Sequence, residues 1–417
     1  MNIIINKPSS WEIVQIKDIC KIHGGKPAPK EDNAFSEDGI PFVRMKDLGS
    51  YHQTTKLYKT CDKINHEYAK IKKMPMIPKG SILLPRSGSV ALNHRAILAI
   101  NAIIVSHILA LEVLNEKVSN KYLYFALCQT DFAKITKKTT GLDAITFDDL
   151  KKIKIPLPPL EVQQKIAAVL DKADRLRQLR KAAIEKLDQL IQSVFLDMFG
   201  DPVTNPKGWE VSKLKEVGKV TTGNTPSRNR PEYYGDYIEW IKSDNINTPS
   251  DYLTTGVEYL SEKGMKVGRV APKDSILVTC IAGSKQCIGN AAIANRIVSF
   301  NQQINAILPS ERINPYYLYM HLRVGKKLVQ NASTNGMKGI VNKSKFENIR
   351  IINPPLNEQN NFGMIFKKIE SMKENMGISL NKFNDTFNSL LQRAFKGELE
   401  FNEAYFKRLD KEAMALS

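Results

Sequence analysis

Cysteine and histidine are scarce in this chain, five and six respectively among 417 residues. The cysteines, Cys20, Cys61, Cys128, Cys280 and Cys287, are odd in number and form no C-x-x-C pair. That argues against a disulfide framework and against a zinc knuckle, and it fits a reduced cytoplasm. The histidines are scattered, with no H-E-x-x-H pair, so a zinc-hydrolase helix is absent. No G-x-x-x-x-G-K-[ST] string occurs, which excludes the usual phosphate loop of an ATP-driven motor. No run of about 18 apolar residues is present, so no segment is expected to span a membrane. Residues 1–10 lack the basic start and long apolar core of a secretory signal.

Positive charge, by contrast, is abundant. Lysine and arginine total 61 against 43 acidic residues, a net +18. Such a surplus attracts polyanions, and nucleic acid is the commonest intracellular one. An inert basic surface, a ribosomal partner or a membrane surface would also accommodate it. Hydrophobic residues make up 42% and charged residues 25%, which suits a folded chain of two or three domains.

Laid on itself, the sequence repeats. Trp11-Glu12-Ile13 returns as Trp209-Glu210-Val211, an offset of 198 residues. At the same offset Gly25 answers Gly223, and Phe42-Val43-Arg44 answers Trp240-Ile241-Lys242. Small loop deletions then shift the register. Ser81-Ile82-Leu83 matches Ser275-Ile276-Leu277, and Tyr122-Leu123-Tyr124 matches Tyr317-Leu318-Tyr319. Ile155-Pro156-Leu157-Pro158-Pro159-Leu160 matches Ile351-Ile352-Asn353-Pro354-Pro355-Leu356. A period of nearly 200 residues is too long for a solenoid, so each copy should be a domain. Each copy opens on a Trp-Glu turn and a short helix, continues through β-branched runs broken by Gly, Pro, Asn and Ser, and closes on a proline-rich strand. The expected class is α+β with mostly antiparallel sheet.

A long helix should follow each proline pair, because residues 160–199 contain neither proline nor glycine. The expected organisation is a first domain at 1–159, a helix at 160–200, a second domain at 201–355, a helix at 356–396 and a tail at 397–417. In the second helix Ile365, Ile369, Met372, Leu380, Phe383 and Phe387 fall three or four residues apart or at multiples of that spacing. In the first, Ile166, Val169, Leu176, Ile184, Leu187 and Ile191 do the same, with Arg180 as the one interruption of the matched stripes. A stripe of period near 3.5 is a coiled-coil seam. It also suits a helix packed on its own domain, and two stripes of equal length favour mutual pairing.

With two repeated domains, each trailed by a long helix, this basic chain resembles the specificity subunit of type I restriction-modification systems. The likeness extends over almost the whole chain. Gly223-Asn224-Thr225-Pro226-Ser227 fits the family's G-x-T-P-S loop, whereas Gly24-Gly25-Lys26-Pro27-Ala28-Pro29 departs from it. Pro156-Leu157-Pro158-Pro159-Leu160-Glu161-Val162-Gln163 fits the family's junction closely, and Asn353 to Gln359 fits it loosely. The resemblance implies two target recognition domains, each reading one half of a split, asymmetric double-stranded DNA site, on helices that form an antiparallel coiled coil. It implies two methyltransferase partners and motor-nuclease subunits. S-adenosylmethionine would then belong to the methyltransferases, and ATP and magnesium to the motor, leaving this chain without a cofactor or a catalytic residue.

One string argues for chemistry. Asn353-Pro354-Pro355-Leu356 approaches the N-P-P-aromatic motif of adenine methyltransferases, in which the ring stacks on a flipped base. Leucine cannot stack in that way, and no glycine-rich cofactor loop lies upstream. Asp236 and Glu239, the candidate nuclease carboxylates, lack a metal-binding pattern and read as solvated loop charges.

DNA binding needs cations for phosphates and amide, guanidinium or carboxylate groups for base edges. Loops after strands supply Lys26, Arg44, Lys46, Arg86, Ser87 and Ser89 in the first copy. The second supplies Asn224, Arg228, Lys242, Asp244, Asn245, Ser284, Lys285, Lys338 and Lys343. Thr139, Thr140 and Asn342 lie in similar loops. Gln302 and Gln303 could read adenine or serve as buried hydrogen-bonding groups.

Overall fold

The structure is a computed structural model that describes residues 8, 10–51, 55–87, 90, 93–135, 144–334, 339–399 and 401. Two compact units emerge: residues 1–183 together with 376–417, and residues 184–375. Each unit therefore holds one repeated domain, half of its own long helix and half of the other. The boundaries expected from sequence kept each helix whole.

In the first unit the strand order is Cys20–Gly24, Ile108–Val113, Ile82–Pro85, Ala96–Leu98 and Lys56–Leu57. A second sheet places Phe35–Val43 between Asp62–Ile64 and Ile103–Ile104. The second unit repeats the plan, with Gly218–Thr222, Ile304–Pro309, Ile276–Thr279 and Ala291–Ile293 in one sheet and Tyr234–Ile241 central to the other. Most pairings are antiparallel. Phe42 with Ile103 and Trp240 with Ser299 are parallel at equivalent places. The two strands read from Ser81 and Ser275 are buried along their whole length, as a short unbroken apolar run requires.

The Trp-Glu segment enters a strand rather than a turn. Glu12–Gln15 pairs with Lys154–Leu157, and Val211–Lys213 with Arg350–Ile352, so the first and last strands of each domain close on each other. A capped helix braces that closure. Ser119 caps Asn120–Cys128, and Asn314 caps Pro315–Val324, where a proline also begins the helix. From these helices Tyr122 donates to the Pro156 carbonyl at 2.5 Å and Tyr317 to the Ile352 carbonyl at 2.7 Å.

The junction glutamines explain the P-P-L-x-x-Q pattern. Gln163, fully buried, accepts from the Ser119 N–H at 2.9 Å and donates to the Lys117 and Pro158 carbonyls. Gln359, also fully buried, accepts from the Asn314 N–H at 2.9 Å and donates to Asn353 and to the Pro354 carbonyl. Each amide fastens the start of a long helix to its own domain.

The long helices span Leu160–Phe199 and Leu356–Lys396, 40 and 41 residues, or about 60 Å each at 1.5 Å per residue. In the first unit Arg177 lies 4.3 Å from the Phe387 ring and Arg180 5.9 Å from Phe383. Advancing along one helix recedes along the other, so the two segments are antiparallel. Arg180 thus joins the seam through its cationic face. In the second unit Phe195 and Phe199 pack 5.4 and 5.8 Å from Phe362, while Asp188 meets Lys373. Ile166 and Val169 share a core with Trp11, Tyr122 and Phe387, so domain packing and helix pairing both occur.

Ile166, Val169, Leu187, Ile191, Ile369, Phe383 and Phe387 are buried, and Leu176, Ile184 and Leu380 are half-buried. Ile365 and Met372 are not; they remain 37% and 42% exposed. The buried face near them runs through Phe362, Phe366, Ile369 and Lys373, the spacing of a 3.6-residue helix. A 3.5-residue reading places Ile365 and Met372 on the face when they lie at its edge. For the same reason Phe195 and Phe199 are fully buried, whereas Val194 and Met198 are half-buried.

Candidate nucleic-acid interface

In each domain several loops converge on one turn. In the first, the turn is Val105–His107. The Lys26 N–H bonds the Ile104 carbonyl, the Ser106 N–H bonds the Lys26 carbonyl, and the Val105 N–H bonds the Val43 carbonyl beside Arg44. The Arg86 N–H bonds the His107 carbonyl at 2.7 Å, and the Ser87 hydroxyl meets His107 Nδ1 at 2.7 Å. The backbone thus brings Lys26, Arg44, Arg86 and Ser87 to one place.

In the second domain the turn is Asn301–Gln303. The Asn224 N–H bonds the Phe300 carbonyl, and the Asn301 N–H bonds the Ile241 carbonyl beside Lys242. Both Cys280 and Ile281 donate to the Gln303 carbonyl. Gln303 also accepts from Ser243 and Asn301, and Gln302 accepts from the Thr225 hydroxyl.

Gly25 and Gly223 occupy the same niche. A Cβ on Gly25 would lie 2.2 Å from the Val105 carbonyl oxygen, and one on Gly223 would lie 2.1 Å from that of Asn301. Only glycine allows this approach. The first loop departs from the G-x-T-P-S pattern in sequence, yet its backbone fills the same role.

Three predicted residues of the second domain meet over Trp240. Arg228 sits 4.4 Å from the Tyr234 ring and 5.0 Å from Trp240, Lys242 sits 5.2 Å from Trp240, and the Trp240 indole N–H donates to the Asn224 carbonyl at 3.3 Å. Arg228 and Lys242 share the two carboxylate oxygens of Glu258. The bond from Lys242 is the main cause holding the Glu258 carboxyl below its ordinary range, and Arg228 adds to it. Arg44 has an equivalent arrangement: its Nε is 2.5 Å from Asp62, and its guanidinium lies 5.5 and 5.6 Å from Phe35 and Phe42. In both domains the cation after the aromatic strand pairs with an acid from the neighbouring antiparallel strand or the residue just before it. Asp62 and Glu258 had no local sequence signal, because only strand pairing brings them near.

Lys26, Lys46, Asp244, Ser284, Lys285 and Lys343 are exposed. Strand Ile281–Ala282 runs from the Gln303 turn toward Ser284 and Lys285, and its partner Gly339–Ile340 runs toward Lys343. Asn245 requires a correction. Its side chain accepts from the Lys242 N–H and donates to Thr254 and to the Thr255 carbonyl. Its residue surface is 9% exposed, so its amide is committed inside the domain and does not face a ligand. Ser89, Lys338, Thr139 and Thr140 lie outside the described residues.

The residues that hinted at chemistry serve the framework instead. Asn353 donates to Ser212 at 3.1 Å and accepts from Gln359 at 3.0 Å, locking the domain-to-helix junction. Glu239 is not a solvated loop charge: it sits within a strand and takes two bonds from Arg296 at 2.7 and 2.6 Å. Bonding to Arg296 holds its carboxyl below the usual range. Asp236 is exposed, but it lies in the same strand and not in a loop.

The model of the type I restriction modification DNA specificity domain matches residues 8–189 and 206–381, once on each repeat. The chain belongs to that family. Among its relatives, the MjaVIII specificity subunit of Methanocaldococcus jannaschii is 27% identical over 88% of this chain and 88% of its own length. The MjaIX specificity subunit of the same organism is 25% identical over 95% of each. The crystal structure of a type I restriction-modification S subunit from M. genitalium superposes with a TM-score of 0.53 at 15% identity, covering 94% of this chain and 98% of that one. That likeness is one of fold. The protein is a type I specificity subunit, with the family's two repeated domains. Among its described residues no helix is long and apolar enough to cross a membrane.

Proposed function

We propose that each repeated domain of this specificity subunit reads one half of a bipartite, asymmetric double-stranded DNA site, and that the chain performs no chemistry itself. The observation that carries this reading is the duplicated convergence of Lys26, Arg44, Arg86 and Ser87 on one turn, and of Asn224, Lys242, Ser243 and Gln303 on its counterpart. Such a site supplies cations for phosphates beside amides and hydroxyls for base edges. Aromatic rings under Arg44, Arg228 and Lys242 hold the cations in place. The two turns have different side chains, which suits different half-sequences.

The long helices act as an antiparallel coiled coil that sets the gap between half-sites, and with the domains they carry two methyltransferase subunits and the motor-nuclease subunits. S-adenosylmethionine, ATP and magnesium are supplied by those partners, in the cytoplasm. The involvement of Asn353 in the junction supports the non-catalytic reading, since its amide is not available for a flipped base. Methylated sites mapped with the methyltransferase partner should reveal two unlike half-sequences at a fixed gap. Labelled methyl transfer by the purified chain alone would overturn the non-catalytic reading, and an undivided site would overturn the two-reader reading.

A further inference from the structure

The geometry points to Asp251 as a positioning residue: through Lys373 it ties the second recognition domain to both long helices, and this ionic tie narrows the gap length the protein accepts. The inference rests on the bipartite reading above.

Asp251 lies in the loop before Tyr252, and its side chain has no exposed surface. One carboxylate oxygen accepts from the Tyr319 hydroxyl at 2.6 Å and from Arg323, and the other accepts from Lys373. Lys373 belongs to the second long helix, is 14% exposed, and reaches two further carboxylates at 2.7 Å. Glu370 is one turn back on the same helix, and Asp188 is on the first long helix. One ammonium thus joins a recognition-domain loop to both long helices, which also meet through the aromatic contacts of Phe195 and Phe199 with Phe362.

The other repeat has a polar cluster at the equivalent positions. The residues 196 places before Asp251, Glu370 and Lys373 are Thr55, Asp174 and Arg177, and the residue 196 places after Asp188 is Asn384. These four also come together. Thr55 donates to Asp174 at 2.8 Å, and Arg177 reaches Asp174 at 3.1 Å and Asn384 at 2.9 Å. Both repeats therefore place a helix cation between the domain loop and the opposite helix. In the first the loop contributes a hydroxyl and the opposite helix an amide. In the second both contribute carboxylates.

A buried carboxylate is costly to desolvate and is repaid only in a narrow geometry. Such a cluster adds little net stability compared with apolar packing, but it penalises every arrangement in which its partners separate. A hydroxyl–carboxylate bond carries a smaller penalty and tolerates more tilt. The second domain is consequently the more rigidly seated on its helices. The Asp251 carboxylate bonds Tyr319, Arg323 and Lys373 rather than the Gln303 turn, so weakening the tie leaves the reading surface in place.

The test uses the full chain with its methyltransferase partner on DNAs that keep both half-sequences and vary the gap one base pair at a time. The parent should methylate one gap length. Asp251→Asn should raise methylation at gaps one base pair longer or shorter at least tenfold relative to the preferred gap, with both half-sequences unchanged. Lys373→Arg, which keeps the charge, should retain the narrow preference, and Thr55→Val should broaden it less than Asp251→Asn. If Asp251→Asn does not fold, Asp188→Asn removes the half-exposed arm alone and should broaden the gap in the same sense. A folded variant with the parent's gap selectivity overturns the inference, as does a loss of half-sequence preference without gap broadening. A parent complex that methylates no bipartite site overturns the reading of function instead.

Discussion

The two recognition domains share a backbone and differ in what they hang on it. At the turn where the loops converge, the first domain presents His107 against Ser87, and the second presents Gln303 against Ser243 and Asn301. At the helix junction both use a buried glutamine and a tyrosine hydroxyl with nearly the same bonds. The surroundings of the helix cation contrast too: Arg177 meets the one carboxylate of Asp174, beside an open cavity of about 530 Å³, whereas Lys373 meets three. The two copies keep the glutamine and tyrosine fastenings of the helix junction and differ in the converging turns and in the ionic layer around the helix cation.

The largest expected effect separates the units by removing part of one. A fragment of residues 1–205 lacks Phe387, Leu390, Ala394 and Phe395, which share a buried core with Tyr122 and Ile166. The fragment should self-associate to cover that surface, and sedimentation at rising concentration should show dimers. A fragment that stays monomeric and fully folded would mean that residues 376–399 are dispensable to the first unit. The next effect contrasts the two helix cations. Lys373→Met leaves three neighbouring carboxylates without their ammonium and should cost about 3–5 kcal/mol in urea unfolding. Arg177→Met leaves one, and should cost roughly 1–3 kcal/mol. Equal losses would erase the distinction between the layers.

A third prediction compares the reading turns. Arg44→Ala and Lys242→Ala should each weaken DNA binding by about 1–3 kcal/mol, with affinity falling steeply as salt rises. Glu258→Gln should strengthen salt-dependent binding, because it releases Arg228 and Lys242 from a competing carboxylate. Parent-like binding by both alanine variants would remove these cations from the interface. The smallest effect at neutral pH belongs to His321, fully buried where the first repeat has Ala126. Burial lowers its pKa from 6.5 to about 3, and Nε2 accepts from the Ile352 N–H at 3.1 Å. As pH falls below 6.5 the unfolded chain takes up a proton that the folded one refuses, so stability declines toward pH 3. Urea midpoints against pH should show that slope, and His321→Gln should flatten it. An unchanged slope would assign the acid sensitivity to other groups.

Much of this was legible from the chain alone. Repeated strings at a near-constant offset marked two copies, and a proline pair stands immediately before each long helix, Leu160–Phe199 and Leu356–Lys396. Local apolar runs identified the buried strands at Ile82 and Ile276. What escaped was set by partners distant in sequence. Asp62 and Glu258 reach their cations only through strand pairing, and Asn245 is turned inward by Thr254 and Thr255. Ile365 and Met372 obey a 3.5-residue count that the local helix does not follow. Lys373, a charge on the buried face, carries no sign in the sequence that carboxylates from three segments await it.

The division of the long helices between units also sets the order in which the units are completed. Domains generally fold as units, N-terminal first, as the chain emerges. Here residues 184–375 are one continuous stretch, whereas the unit containing the first domain also includes residues from 376 onward. The second half of this protein can finish folding while the first still has an unfilled core, so the part made earliest is the last to be completed.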